Sequence, residues 1–446
     1  MKAGLRSFVM VWVGQTISIM GSSMTGFALS VWVFQQAHSV TKFTMISVVG
    51  SLASILAAPY SGVIIDRWDR RRVMIGADLT AAGVSLVVLT LAVTGALRIW
   101  QVYPLVMVTS VLANLQSPAF SAAVTLLIPK AHYGRAEGMR QFGEAGAAIV
   151  APLLAGVLVV TIGLAGVIAI DLGTFLIGGL MTLLVRIPSP AVDPSAVSWM
   201  ERAAYGYHYL RQRPPLLRLL GYFSAVNFVI AFAMILFLPL VLSLASPKEL
   251  GTILSLAAAG SIVGSLAVSV TGGPRRRIRG VVACGFLAGP SIVLVAFGRS
   301  WPLIALGAFL VAVVIPLGNA SSQAIWQSKV APAVQGRVFA FRRVVAQATA
   351  PVAFLLAGPL SDRVFGPLMA PGGALAASLG PWIGVGKERG IAAIYLIVGA
   401  LTMGLGIWGA LSPRLQSVED DVPDAVTDPA PAGPEPAAAV AADLPA

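Results

Sequence analysis

The chain has 446 residues, of which 57% are hydrophobic and only 11% charged, with a mean hydropathy of +0.87. Soluble domains carry about 25% charged residues, so this composition excludes an ordinary globular domain and points to a membrane protein. The formal charge of +12 is unevenly spread: seven of the 18 acids (Glu419, Asp420, Asp421, Asp424, Asp428, Glu435, Asp443) follow Arg414, the last basic residue. In such a chain the remaining basic excess reads as topology, not as affinity for nucleic acid.

A membrane span needs about 20 apolar residues. In chain order this ruler predicts twelve: 8–36, 42–65, 73–97, 101–128, 138–161, 164–186, 219–245, 250–271, 279–298, 301–326, 341–363 and 390–411. The first follows Lys2 and Arg6 but is too long for a signal peptide and lacks a clear small-residue cleavage site, so it reads as a retained helix. With the N-terminus inside, 23 of the 30 basic residues fall on the cytoplasmic side and seven outside. That bias predicts a multi-pass inner (plasma) membrane protein with both termini cytoplasmic.

The long connection at 187–218 divides the spans six and six, with three prolines followed by a surface helix around 198–211. The expected organisation is an all-α membrane protein: an N-terminal six-helix bundle (1–187), a cytoplasmic linker (188–218), a C-terminal six-helix bundle (219–412) and a tail (413–446). Rich in Pro, Ala and acids, the tail is expected to be disordered. The halves also repeat. Gly134-Arg135, Arg140 and Ala155-Gly156 match Gly336-Arg337, Arg342 and Ala357-Gly358, each pair 202 positions apart. Parallel six-helix repeats are one of the known transporter plans.

The lone cysteine, Cys284, can form no internal disulfide, and His38, His132 and His208 all lie outside the spans, so no metal centre or cofactor is expected. No lysine precedes Ser or Thr, which excludes a Gly-Lys-Ser/Thr phosphate loop. Intramembrane acids are candidate functional groups by default. Asp171 is the first candidate for a proton or cationic-substrate site, with a structural hydrogen bond as the alternative, and Glu144 is the second. Asp78 lies about 7 Å along its helix from Val73, so pairing with the Arg70–Arg72 cluster is its alternative role. Gln15, Asn227 and Gln323 are mid-membrane polar groups suited to substrate or to helix–helix hydrogen bonds. Pro152, Pro316 and Pro351 lie inside predicted spans, where proline kinks a helix.

The most charged turn is Gly62-Val63-Ile64-Ile65-Asp66-Arg67-Trp68-Asp69-Arg70-Arg71-Arg72, two acids and four arginines between apolar runs. Its acids can pair with Arg67, Arg70 or Arg71, which makes it either a gate latch or a basic turn that sets topology. The pattern Gly62-x-x-x-Asp66-Arg67-x-x-Arg70-Arg71 resembles the signature loop between helices two and three of the major facilitator superfamily. Asp69 departs from the glycine usual there, which bears on the turn's geometry.

Further residues resemble the enterobactin-exporter and macrolide-efflux branch: Gly14-Gln15, Gly21-Ser22, Phe27-Ala28-Leu29, Trp32-Val33, Asp171 with Phe175, Asn227-Phe228, Ile325-Trp326-Gln327 and Gly358-Pro359-Leu360-Ser361-Asp362-Arg363. The resemblance implies a monomeric secondary transporter that alternates between inward- and outward-facing states and expels a small organic molecule in exchange for protons. Its first-half gate would be Gly62, Asp66, Arg67, Arg70 and Arg71. The loop at Gly273-Pro274-Arg275-Arg276-Arg277 keeps arginines without an Asp-Arg pair, so a second-half latch works differently or only the first-half one operates; the candidates for a second-half gate are Gly336, Arg337, Asp362 and Arg363. Alternatives are an importer of the same fold, or a non-transporting membrane sensor or scaffold. No convergent nucleophiles support an enzyme.

Overall fold

Hydrocarbon leaves backbone N–H and C=O groups no partner but each other, so apolar runs of this length have to become helices. The computed structural model describes residues 2–129, 132–187 and 199–425. The first half comprises α1 (Lys2–Ala37), α2 (Val40–Arg67), α3 (Arg70–Val93), α4 (Ile99–Leu127), α5 (Tyr133–Thr161) and α6 (Gly163–Leu184). A short helix α7 (Trp199–Arg211) leads to the second half: α8 (Pro214–Leu242), α9 (Pro247–Thr271), α10 (Arg277–Ala296), α11 (Trp301–Lys329) and α12 (Pro332–Pro359). A π-turn (Leu360–Phe365), short helices α13 (Gly366–Met369) and α14 (Ala376–Ile383), and a final span α15 (Gly390–Leu411) complete it. Among the described residues, eleven helices are long and apolar enough to cross a membrane, and α4 completes the twelve.

Local sequence signals set the helix ends. Ser246 and Glu249 cap α9 reciprocally, with Pro247 at the first helical position. Asp69 answers the question raised by the missing glycine: at φ −60° it is the N-cap of α3, and its carboxylate accepts the Arg72 N–H at 3.1 Å. No left-handed residue is needed there. The linker helix α7 docks on α12, where Gly206 leaves room for Phe341: a β-carbon would lie 2.5 Å from the Phe341 Cβ.

The cores reveal how the halves meet. We call the end that carries the 62–72 loop the basic end. Among the described residues, one apolar cluster near that end draws its members from the first half, including Phe8, Met74, Phe120 and Ile187. A second draws on α7, the second half and the segment that follows it, including Leu216, Ile278, Trp326 and Val418. At the opposite end a single cluster joins both halves, with Val31, Val40, Ala151 and Ala155 packed among Leu236, Leu250, Ile253 and Ala357. Among the described residues, the large cluster that joins the halves thus lies at one end, while at the basic end each half has its own.

The expectation of disorder from residue 413 needs correction. Residues 413–421 form α16 (Pro413–Gln416) and α17 (Val418–Asp421), and residues 413–425 lie as a strap across the basic end of the second half. Leu415, Val418 and Val422 are buried at 2%, 0% and 6% exposure, an apolar stripe at helical spacing inside an otherwise polar segment. Glu419 accepts the Arg277 N–H at 2.8 Å, so a carboxylate caps the positive end of α10. Asp424 pairs with the buried Lys329 at 2.9 Å, while Asp421 lies 3.7 Å from Arg218 and Asp420 lies 3.7 Å from Arg276. Residues 188–198 of the expected linker and 426–446 of the expected tail lie outside the described residues.

Candidate functional site: a latch between two halves and a recess in the first

The seam between the halves is built twice. On one side Gly156 of α5 faces Gly251 of α9: a β-carbon on Gly251 would lie 2.2 Å from the Pro152 carbonyl oxygen. On the other, Gly358 of α12 faces Thr41 of α2, with a β-carbon 2.5 Å from Thr41 Cα. Gly156 and Gly358 are a pair from the 202-residue repeat, so one sequence device supplies both seams. The α5–α9 seam reaches toward mid-membrane, where the Ser255 hydroxyl donates to the Ile149 carbonyl.

Asp362 locks the α2–α12 seam. It sits in the π-turn that follows α12, a local departure common at functional positions. Its carboxylate crosses to the first half and accepts four hydrogen bonds at the N-terminus of α2. These come from Ser39 Oγ at 2.7 Å, the Val40 N–H at 3.0 Å, the Thr41 N–H at 2.9 Å and Thr41 Oγ1 at 2.7 Å. The anion therefore meets the free N–H groups and positive dipole of a helix from the other half. His38 holds φ +47°, an uncommon conformation for a non-glycine residue, as it turns the chain into that N-terminus. A cavity of about 770 Å³ opens beside the latch, lined by His38, Asp362, Lys387 and Glu388 among others.

Deeper in the first half, Trp12, Gln15, Gln116, Phe120, Arg140 and Glu144 line a polar recess of about 160 Å³. That is below the ~300–1,000 Å³ of a complete small-molecule site. Arg140 on α5 forms ion pairs with Glu137 and Glu144 on the same helix. Behind the recess Asp78, fully buried, accepts hydrogen bonds from Gln15 at 3.3 Å and from Gln116, while Gln116 also donates to Gln15 at 2.9 Å.

The alternative role predicted for Asp78 does not hold: it accepts from the amides of Gln15 on α1 and Gln116 on α4, and not from the arginine cluster. Arg71 instead donates to the Thr182 carbonyl at 3.4 Å and to the Leu183 carbonyl at the end of α6, and Arg72 is exposed. Arginines at this end reach outward, while Asp78 points into the bundle.

The other predicted residues separate. Asp171 is 2% exposed inside the first bundle, where Ser85 of α3 donates at 3.1 Å and Thr174 at 3.5 Å, and it does not line the recess. Arg337 lies 5.1 Å from the Tyr205 ring of α7, so it fixes the linker helix, and Gly336 and Arg363 are exposed. Asn227 is half-buried on α8. Gly62, Asp66 and Arg67 lie in the last turns of α2, and their side chains fall outside the described ones.

Sequence reasoning did not single out Gln116, Ser39 or Thr41. Gln116 carried no signal, whereas the Ser39 N-cap was readable as a helix start.

Twelve helices in two repeated bundles, joined at one end and divided at the other, define a membrane transporter of the two-bundle type. The sequence pattern described as Major Facilitator Superfamily matches residues 11–353, and the chain belongs to that family. It is a multi-pass membrane transporter, not an enzyme. Macrolide efflux protein A of Streptococcus pyogenes is 27% identical over 374 residues, covering 80% of this chain and 90% of that protein. Enterobactin exporter EntS of Citrobacter koseri is 25% identical over 189 residues, 42% of this chain and 44% of its own. Both agree with the branch that the motifs resemble. A solved structure of a bacterial homologue of the human lysosomal transporter Spinster, in an inward-facing and unoccupied conformation, superposes with a TM-score of 0.68 at 13% identity. It covers 94% of this chain and 98% of its own, and supports the fold alone.

Proposed function

We propose that this chain exports a small organic molecule from the cytoplasm by alternating access, driven by inward proton flow, with the basic end cytoplasmic. The observation that carries the reading is the contrast between the two ends. One fused core, latched by Asp362, closes the outer end, while two separate cores leave each half packed within itself at the basic end. Rocking the halves about the midplane would exchange the two arrangements. The basic loop at 62–72 moves with the first half because Asp69 caps α3 and Arg71 holds α6. Gly62, Asp66, Arg67, Arg70 and Arg71 then form the inner gate when that end closes.

The direction of transport rests on the efflux names of the relatives. The coupling proton belongs to a buried carboxyl near the cleft. Asp78 has that place through Gln15 and Gln116, with Asp171 and Glu144 as the other acids of the half. The test is accumulation of a labelled panel of macrolides, catecholate siderophores and cationic dyes in cells with and without the chain. Lower accumulation that a protonophore abolishes supports export; higher accumulation means import, and no protonophore-sensitive difference for any cargo sinks the reading.

A further inference from the structure

We propose that Arg342, with Ser322, Gln323, Phe223 and Trp326, forms an anion-recognising subsite. The transported molecule then carries a carboxylate, sulfonate or phosphate beside an apolar or aromatic body. This names a substrate class and rests on the transporter reading.

Arg342, one of the basic residues counted on the cytoplasmic side, lies ten residues into α12, roughly 15 Å from its basic end by the helical rise, at the margin of that apolar span. A cation at that depth is expensive and is normally paired. Among the described residues Arg342 makes no ion pair. It donates to Gln323 Oε1 at 2.8 Å and Ser322 Oγ at 3.1 Å, and its guanidinium lies 5.0 Å from the Trp326 ring and 5.9 Å from the Phe223 ring. Its surroundings are two aromatic faces and two neutral polar groups, which orient the positive charge without cancelling it.

The repeat provides an internal control. Arg140, the residue 202 positions earlier, carries carboxylates from both Glu137 and Glu144. The same position is neutralised in one half and left positive in the other. A guanidinium has five N–H donors, and two are engaged here, leaving a fork that fits a planar oxyanion. Ser322 and Gln323 retain hydroxyl and amide donors. The indole N–H of Trp326 is buried and finds no acceptor among the described residues. Trp326 and Ser322 are fully buried while Arg342 remains partly exposed, so the guanidinium is the accessible face of the cluster.

The experiment uses two xanthene dyes of opposite charge, carboxyfluorescein and rhodamine 123, with the full chain in lipid nanodiscs and fluorescence anisotropy as readout. The wild type is expected to bind carboxyfluorescein at least tenfold tighter than rhodamine 123. Arg342→Gln should erase the preference, and Arg342→Lys should keep part of it through charge without the fork. If Arg342→Gln does not purify as a folded protein, competition on the wild type decides. Displacement of carboxyfluorescein by 2-naphthoate and not by naphthylmethylammonium supports the subsite, and the opposite order overturns it.

Tighter or equal binding of rhodamine 123, no binding of carboxyfluorescein, or unchanged binding in Arg342→Gln also overturns it. Uptake by everted vesicles separates the two readings. Protonophore-sensitive pumping of rhodamine 123 alone keeps the exporter and removes the anion site. A binding preference without transport of any cargo keeps the subsite and removes the exporter.

Discussion

Replacing Asp362 by Asn weakens the outer latch without changing its size. The carboxylate accepts four hydrogen bonds, three of them on Oδ2 and one, from the Val40 N–H, on Oδ1. Asparagine keeps one acceptor oxygen and turns an NH2 group toward the remaining donor, while the surviving bonds lose their charge assistance. Hydrogen bonds to charged groups contribute about 1.5–3 kcal/mol and neutral ones about 0.5–1.5, and Asp362 is only half-buried, so a net loss of about 2 kcal/mol is expected. At 1.4 kcal/mol per decade this shifts the balance between outer-closed and outer-open forms about thirtyfold. The form with the outer end open has Asp362 in water and changes little.

A cysteine at Ala151, fully buried in the core that joins the halves, reports opening. The native Cys284 is buried and gives a low background. Labelling of Ala151→Cys by an impermeant maleimide added outside intact cells should accelerate by about thirtyfold in the Asp362→Asn background. An unchanged rate would refute the latch.

Gly251→Ala should also favour the outer-open form and slow transport, because the added carbon meets a backbone oxygen at 2.2 Å that cannot yield; the same labelling assay reads it. Truncation after Ser412 removes the strap with its three buried apolar anchors and leaves Lys329 without Asp424. Burial of such side chains contributes about 1.5–3 kcal/mol each before ordering costs, so the melting temperature should fall by several degrees, followed with a thiol-reactive dye on Cys284. Asp78→Asn should abolish the protonophore sensitivity of export while Asp171→Asn lowers stability but leaves coupling intact. Coupling lost only in the Asp171 variant would move the proton site there.

Much of this was legible in the chain. Apolar runs became helices because lipid offers the backbone no alternative, and the positions of the spans follow directly. The 202-residue repeat pointed to Gly156 and Gly358, and both lie at the seam. The latch was only half readable. Asp362 was recognised, but its partners lie more than 320 positions away, and two of them are backbone N–H groups that carry no side-chain signature. Asp78 was misjudged because distance along a helix says nothing about which neighbour turns toward it. For the strap, composition argued for disorder, and the stripe formed by Leu415, Val418 and Val422 was outweighed by its acidic, proline-rich surroundings. Such a stripe needs only one docking surface, and the tips of α8, α10 and α11 provide it.

Under alternating access the two ends move in opposition. With Cys284 replaced by Ala, spin labels at Gln36 and Lys387 span the outer end, and labels at Trp68 and Arg279 span the basic end; all four positions are exposed. Pulsed electron-spin distance measurements on each pair, with and without Asp362→Asn, follow both ends of the same molecule. Alternating access predicts that the outer distance lengthens as the basic-end distance shortens. An outer end that opens while the basic-end distance stays fixed would contradict it.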